Sequence, residues 1–247
     1  MKLFSTFIFS TALLSYSATT SAFNQDSIKL SFEKNEMLSL LLLDRKHGGE
    51  AAQQAYFKKI AQLTKPNDVR EVILMPVTQT LAGDHPAEFF ALYAWKSDNV
   101  AQQLRENPLY KQDALPLQNQ GWNELSFGDV DISVDEEYQL SPDKFYTVSE
   151  LWITDQEKYQ QYFEATKALR AELGAKFIFK QHPKNYGSIH KGSKVPSLIA
   201  LIEWNSQEAI RQYPQAEAFK QAYPHLLAST DKFTWYQVSL PTTDDSY

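Results

Sequence analysis

A pattern of residues recurs along the chain with a constant offset, and this recurrence restricts the fold more than any other feature. Trp95 recurs as Trp204, and each ends an apolar run. Ser97 recurs as Ser206, and a helical stretch follows each serine. Several coincidences in one order indicate an internal repeat. The sequence therefore predicts two diverged copies of one αβ unit in tandem.

Each copy follows the order strand, helix, strand, strand, helix, strand, which is that of a split βαβ unit. Apolar runs rich in β-branched and aromatic residues predict the strands, at residues 37–43, 69–77, 88–95, 122–132, 145–153, 175–180, 197–204 and 232–240. The order predicts an α+β fold, with a first unit over residues 23–133 and a second unit over residues 143–241.

Two of these strands are apolar almost without interruption, at residues 38–43 and 198–202. Strands of this composition need both faces covered. The two helices of one unit cover only one face of its sheet, so the other face requires a second sheet. We therefore expect the antiparallel sheets of the two units to pack together, as a pseudo-dimer within one chain.

Helix termini carry recognisable signals. Thr154 and Glu157 have the spacing of a capping box, and Gly174 follows that helix where a C-terminal glycine is expected. Ser97 and Ser206 are predicted as N-caps of the second helix in each copy.

The first 22 residues have the features of a signal peptide. Lys2 supplies a positive charge, an apolar stretch follows, and Ala22 ends a small-residue cleavage site. A membrane anchor is the alternative, but serines and threonines interrupt a run that is too short to span a bilayer. We expect an exported, periplasmic or secreted protein, with a disordered tail at residues 242–247.

Composition excludes several classes of function. The chain has no cysteine, which rules out disulfides, thiolate metal sites and cysteine nucleophiles. Its net charge of −6 disfavours nucleic acid and anionic membranes as partners. No apolar run after residue 22 is long enough to span a membrane. A small-molecule ligand is the expected partner, and the oligomeric state stays open.

Residues 134–142 are predicted to be an acidic linker between the units. Asp135, Glu136 and Glu137 would keep it solvated. The segment lacks the glycine and the terminal glutamate of a calcium loop, so it predicts no metal site.

Residues 146–152 and the following Thr154-Asp155 resemble the opening of small domains in the dimeric α/β-barrel superfamily. Further resemblance lies in residues 201–204, 206–209 and 219–221. The similarity is closest to uncharacterised members and to the antibiotic-monooxygenase type, and it implies ferredoxin-like units whose sheets form a barrel. Relatives include cofactor-free monooxygenases, haem-handling enzymes and isomerases, so the resemblance does not choose an activity. No catalytic motif of the family matches.

The most unusual segment is a long basic loop that joins the two middle strands of the second copy. It carries His182, Lys184, Tyr186, His190 and Lys191 in an otherwise acidic protein. Such a loop could bind an anionic ligand over one end of the barrel, with His182 or His190 moving protons. The alternative, which the sequence favours, is a solvated hairpin whose lysines keep an edge strand soluble.

Two further residues complete the candidate ligand site. Trp204 would provide an apolar wall, although packing is the simpler role for a tryptophan that recurs. His47 precedes Gly48-Gly49, whose backbone N–H groups could bind an anion. No histidine spacing matches a metal site, so no metal and no cofactor are predicted. A haem ligand among the histidines is retained as an open alternative.

Two functions are compatible with these observations. The first is a pocket protein that binds, and in its catalytic version oxidises or isomerises, a small apolar or aromatic molecule with an anionic edge. The second is a non-catalytic periplasmic interaction or accessory module. A deep cavity beneath residues 182–192 would favour the first, and a barrel interior filled by side chains would favour the second.

Overall fold

The computed structural model describes residues 27–84, 86–189 and 194–241. The strands in these residues are β1 (Ile28–Phe32), β2 (Met37–Arg45), β3 (Val69–Ala82), β4 (Phe89–Trp95), β5 (Trp122–Asp131), β6 (Glu136–Leu140), β7 (Phe145–Ile153), β8 (Lys176–Gln181), β9 (Asn185–Ser188), β10 (Leu198–Trp204) and β11 (Thr230–Val238). The helices are α1 (Glu50–Leu63), α2 (Asp98–Glu106), α3 (Leu115–Gly121), α4 (Gln156–Ala165), α5 (Lys167–Glu172), α6 (Gln207–Gln212) and α7 (Glu217–Ser229). Helices combined with antiparallel sheets confirm the predicted α+β class.

Nine strands form one sheet in the order β8-β10-β7-β11-β3-β4-β2-β5-β9. In the first half β2 lies between β4 and β5, and in the second half β7 lies between β10 and β11. The registers also match, because Met37 pairs with Trp95 in the first half as Phe145 pairs with Trp204 in the second. This strand order is consistent with a ferredoxin-like fold.

The halves join through two strand pairs, β3 with β11 and β5 with β9. The two end strands of the sheet, β8 and β9, follow each other in the chain. Only residues 182–184 separate them, so the chain itself keeps the two ends of the sheet close.

One face of the sheet buries a single apolar cluster to which both halves contribute. Leu38 and Leu40 of β2 belong to it, as do Ile199 and Leu201 of β10. The alternate residues of the same strands face the helices. Both faces of the apolar strands are therefore covered, as their composition requires.

Residues 134–142 connect the halves but are not the solvated linker that the charges predicted. They contain β6, which pairs with β1 in a separate two-stranded sheet. Burial alternates along β6, so the acidic side chain of Glu137 faces outward and pairs with Lys29 at 2.5 Å, whereas Leu140 is fully buried. The charges occupy the outer face of a strand whose inner face adds to the shared core.

The predicted caps of the second helices are confirmed. Ser97 accepts a hydrogen bond from the Val100 N–H, and Ser206 accepts one from the Ala209 N–H. Gly174 has φ +69°, the left-handed conformation expected after a helix.

The predicted capping box is wrong by one residue. Asp155 caps α4 by accepting a hydrogen bond from the Lys158 N–H at 3.0 Å. The Thr154 hydroxyl instead donates to the Ser229 carbonyl, which ties the start of α4 to the end of α7. A carboxylate is also the better partner for the positive end of the helix dipole.

The predicted signal peptide and the predicted tail lie outside the described residues. Within the described ranges, no helix has the length and apolar character that a membrane span requires.

Candidate ligand cavity

The second half contains a cavity of about 630 Å³ between its sheet and helices α4 to α7. Alternate residues of β10 form its floor, and among them Ala200 is small enough to leave space above the sheet. Pockets for small molecules usually have volumes of roughly 300–1,000 Å³. The cavity is therefore large enough for a ligand of several rings.

Ten aromatic side chains line the cavity. They come from three helical segments and three strands: Tyr159, Tyr162, Phe163, Phe177, Trp204, Tyr213, Phe219, Tyr223, Phe233 and Trp235. The Trp204 and Tyr213 ring centroids are 5.4 Å apart, and those of Tyr213 and Phe219 are 5.0 Å apart. These edge-to-face contacts hold the rings in fixed positions. The wall is thus a preformed surface for flat, apolar groups.

The indole N–H of Trp204 is not available to a ligand. Its indole N–H donates to the Thr147 hydroxyl at 2.9 Å, and the side chain is almost fully buried. Trp204 lines the cavity, and its contact with a ligand stays a prediction.

Arg170 brings a charge to this apolar wall. It lies on α5, is only 7% exposed, and its guanidinium carbon is 4.0 Å from the centroid of the Phe163 ring. Its N–H groups donate to the Thr166 hydroxyl and, at 2.7 Å, to the Phe163 carbonyl. Among the described residues, no carboxylate forms an ion pair with Arg170.

Two tyrosines, Tyr159 and Tyr162, lie near this guanidinium. The Tyr162 hydroxyl is 3.0 Å from the Tyr213 hydroxyl. Burial raises the pKa of Tyr162 well above its usual value and that of Tyr159 to about 12, although Arg170 acts in the opposite direction on both. These hydroxyls stay protonated at neutral pH and can donate hydrogen bonds.

The described lining of the cavity does not fit haem. Haem iron takes histidine, cysteine thiolate, methionine or tyrosinate as a protein ligand. The described lining includes no histidine, cysteine or methionine, and the raised pKa of its buried tyrosines opposes a tyrosinate. No group of three or more potential metal ligands occurs among the described residues either.

The corresponding space in the first half is only about 130 Å³. Trp122 packs edge-on against Tyr56 and Phe57, with ring centroids 5.3 and 5.9 Å apart. Beside them, Arg105 forms an ion pair with Asp129, which is completely buried. These packed aromatic rings and this ion pair fill the space that is open in the second half.

A third, smaller pocket of about 80 Å³ lies on the opposite face of the sheet. Glu150 lines it, and the Thr234 hydroxyl donates to this carboxylate at 3.2 Å. Burial raises the pKa of Glu150 to about 7, while Lys232 acts to lower it. The rest of this face is a filled apolar core.

The structure does not bring the predicted site residues together. Lys184 cannot serve as a free cation for a ligand, because its ammonium is 2.6 Å from Asp131 and 3.2 Å from Asp98. His182 is exposed, with Nδ1 2.6 Å from the Ser197 carbonyl oxygen. Neither residue lines the large cavity.

The other predicted residues are scattered or undescribed. Tyr186 lines the small pocket with Glu150, and His47 is exposed at the turn before α1. His190 and Lys191 lie outside the described residues. The large cavity lies between the sheet and the helices, and no residue of the described part of the loop, 182–189, lines it.

Sequence reasoning missed Arg170, although the sequence contained a signal for it. Tyr159, Phe163, Thr166 and Leu173 recur at helical spacing and form one stripe along this part of the sequence. Arg170 follows Phe163 and Thr166 at the three- and four-residue spacing of the same stripe. An arginine within an apolar stripe lies against the core, and if its charge is buried there it calls for a partner.

Comparison with known proteins supports this fold. Residues 144–234 match the family model of a domain of unknown function, DUF1330. An anthrone oxidase-like protein of known structure has a TM-score of 0.51 and 15% sequence identity, and the match covers 85% of this chain and 94% of that one. Its level of identity shows the fold alone. No curated protein matches the sequence.

The chlorite dismutase of Candidatus Nitrospira defluvii, solved in complex with imidazole, is more distant. Its TM-score is 0.43 with 12% identity, over 85% of this chain and 93% of that chain. These matches concern the fold alone and assign no activity to this chain.

Proposed function

We propose that this protein binds a small apolar or aromatic molecule in the cavity of its second half. The observation that carries the proposal is the cavity of about 630 Å³ with aromatic side chains in its wall. Largely apolar, preformed cavities with a few convergent polar groups are the usual form of a small-molecule site. The filled counterpart in the first half suggests that the fold does not itself require such a space.

We propose binding rather than a particular reaction. The described side chains around the cavity offer flat apolar surfaces and hydrogen-bond donors, namely the tyrosine hydroxyls and Arg170. None of these side chains is a carboxylate or an imidazole, the groups that most often act as a base near neutral pH. The cavity also favours ligand binding over the alternative of a purely structural interaction module.

The proposal includes the architecture and the cellular location. We propose that the halves are diverged copies of one unit and that their sheets close into a barrel. The matching strand orders, the matching registers and the two pairs β3–β11 and β5–β9 support this. The signal-like sequence of residues 1–22 supports export to the periplasm or beyond.

A pair of matched variants tests the binding proposal. Ala200 and Ala91 occupy matching register positions, opposite Ser149 and Leu41 respectively, but only Ala200 lines the large cavity. Isothermal titration calorimetry with 2-naphthamide, a neutral two-ring probe, should detect binding to the wild type. Ala200→Leu should weaken it at least about tenfold by occupying the cavity, whereas Ala91→Leu should bind as the wild type does. Equal binding by both variants would contradict the proposal, as would a wild type that binds neither 2-naphthamide nor its carboxylate analogue 2-naphthoate.

A further inference from the structure

We infer that the ligand of this cavity carries a carboxylate or a similar anionic group, which Arg170 binds. The inference rests on the proposed function, because it assigns a chemical class to the molecule in the same cavity. It concerns the polar end of the cavity, where Arg170 lies beside Tyr159 and Tyr162.

The first argument is the incomplete pairing of a buried charge. A guanidinium has five N–H donors, and buried charges in proteins are normally paired. Arg170 is 7% exposed, yet its described hydrogen bonds go to a neutral hydroxyl and a neutral carbonyl, those of Thr166 and Phe163. A ligand carboxylate would supply the negative charge that these two neutral partners lack.

The second argument is the charge of the described lining. Arg170, Arg211 and Lys220 line the cavity, and no aspartate or glutamate does. This is unusual in a chain with a net charge of −6. Arg211 has a partner in Glu208 at 3.7 Å, but both side chains are mostly exposed, so that pair lies at the surface. The cavity therefore favours an anion.

The third argument is the donor geometry at the polar end. The planar guanidinium suits the two oxygens of a carboxylate, and charge-assisted hydrogen bonds of this kind are strong. The hydroxyls of Tyr162 and Tyr213 share one hydrogen bond, so one of their two protons is left to donate to a ligand. An aromatic molecule with one carboxylate would place its ring on the aromatic wall and its charge on Arg170.

A structural role for Arg170 makes a different prediction, so the two can be separated. If the guanidinium only ties together the junction of α4 and α5 through Thr166 and Phe163, then a neutral and an anionic ligand of the same shape should bind alike. Two probes of this kind are 2-naphthoate and its neutral analogue 2-naphthamide.

The experiment compares these two probes by calorimetry at neutral pH with the full-length protein. The wild type should bind 2-naphthoate at least about tenfold more tightly than 2-naphthamide, because only the carboxylate forms a charge-assisted pair. Arg170→Met should remove most of this preference, and Arg170→Lys should keep part of it. Lys180→Met is the matched control, since Lys180 stacks over the same Phe163 ring but does not line the cavity.

The outcomes separate the inference from the proposed function. If neither probe binds the wild type, the proposed function fails. If both bind the wild type equally, the cavity binds aromatic molecules but the inference is overturned. Loss of the preference in Lys180→Met as well as in Arg170→Met would also overturn it, because the effect would then be general electrostatics. Should Arg170→Met not fold, Tyr162→Phe provides a second test, and it should lower the naphthoate affinity more than the naphthamide affinity.

Discussion

Behind the sheet of the first half, aromatic rings and a buried ion pair leave about 130 Å³, whereas the matching place in the second half holds about 630 Å³. The strands themselves are nearly equivalent. Trp95 donates to Ser39 in one half as Trp204 donates to Thr147 in the other. The difference lies in the side chains that pack between the sheet and the helices. The two halves therefore share the architecture of the sheet, and these side chains determine which half has room for a ligand.

One pair of equivalent residues, Asp129 and Gln237, shows how these side chains differ between the two halves. Asp129 pairs with Ser39 in register, and Gln237 pairs with Thr147. Asp129 accepts hydrogen bonds from Ser39 at 2.6 Å and from Arg105 at 3.0 Å, which completes a closed polar network. The amide in the second half holds no such charge pair. A cation of the second half, Arg170, instead stays available to the cavity.

The largest expected effect is a loss of stability when the two residues of this pair are replaced by alanine. Asp129→Ala should lower the free energy of unfolding by about 3–4 kcal/mol, because it leaves a partly buried Arg105 unpaired. The matched change Gln237→Ala should cost only about 1 kcal/mol, because it leaves no charge unpaired. Chemical denaturation of both variants measures the difference. Similar losses in the two halves would contradict the view that only the first is closed by a buried ion pair.

The next effect concerns pH and the opposite face of the sheet, where Glu150 occupies the register position that Leu42 holds in the first half. The folded protein binds the Glu150 proton more tightly than the unfolded chain, with a pKa of about 7 against the usual 4.5. Stability should therefore fall as pH rises from about 4.5 to about 7, by up to about 3 kcal/mol.

Glu150→Gln should remove this part of the pH dependence, because the amide does not titrate. Urea unfolding of the wild type and the variant at pH 5 and pH 8 gives the comparison. The charges of Lys232 and Glu124 act on Glu150 in opposite directions and are present in both proteins. A pH dependence that is unchanged in the variant would show that Glu150 ionises normally in the fold.

A smaller effect on stability distinguishes the filled space of the first half from the open cavity of the second half. Ala91 is completely buried in a cluster with Leu43, Phe89 and Trp122, so Ala91→Leu should cost about 2 kcal/mol through overpacking. Ala200→Leu should change the free energy of unfolding by less than about 1 kcal/mol, because the cavity accepts the added methyl groups. Thermal or chemical unfolding tests this, and a greater loss in Ala200→Leu would indicate that the cavity closes in solution.

The smallest expected effect concerns the hydrogen bond of a strand-end tryptophan, which both halves have. Thr147→Val removes the acceptor of the buried Trp204 N–H and should cost about 1 kcal/mol. Ser39→Ala removes the acceptor of Trp95 and also the hydrogen bond to Asp129, so it should cost roughly twice as much. Equal costs would mean that the link from Ser39 to Asp129 contributes little.

The sequence was sufficient to predict the main strands because their signal is local. Eight strands are confirmed within a few residues, and Ser97 and Ser206 cap the predicted helices. The short strands β1, β6 and β9 were not predicted, because five or fewer residues carry little periodicity. Their pairing depends on contacts between distant parts of the chain.

The site was harder to predict for a physical reason. The basic loop attracted attention through its composition, but Lys184 is neutralised by Asp98 and Asp131, which are remote from it in the sequence. Arg170, by contrast, is one cation in a charged chain until the fold buries it. Whether a charge is paired depends on tertiary contacts that composition does not contain.

The most direct test of the account is a crystal structure of the protein with 2-naphthoate. The account predicts one molecule in the cavity of the second half, with its rings against the aromatic wall near Trp204. The carboxylate should lie within hydrogen-bonding distance of the Arg170 guanidinium. A naphthoate bound elsewhere, or bound in the cavity with its carboxylate directed away from Arg170, would contradict the account.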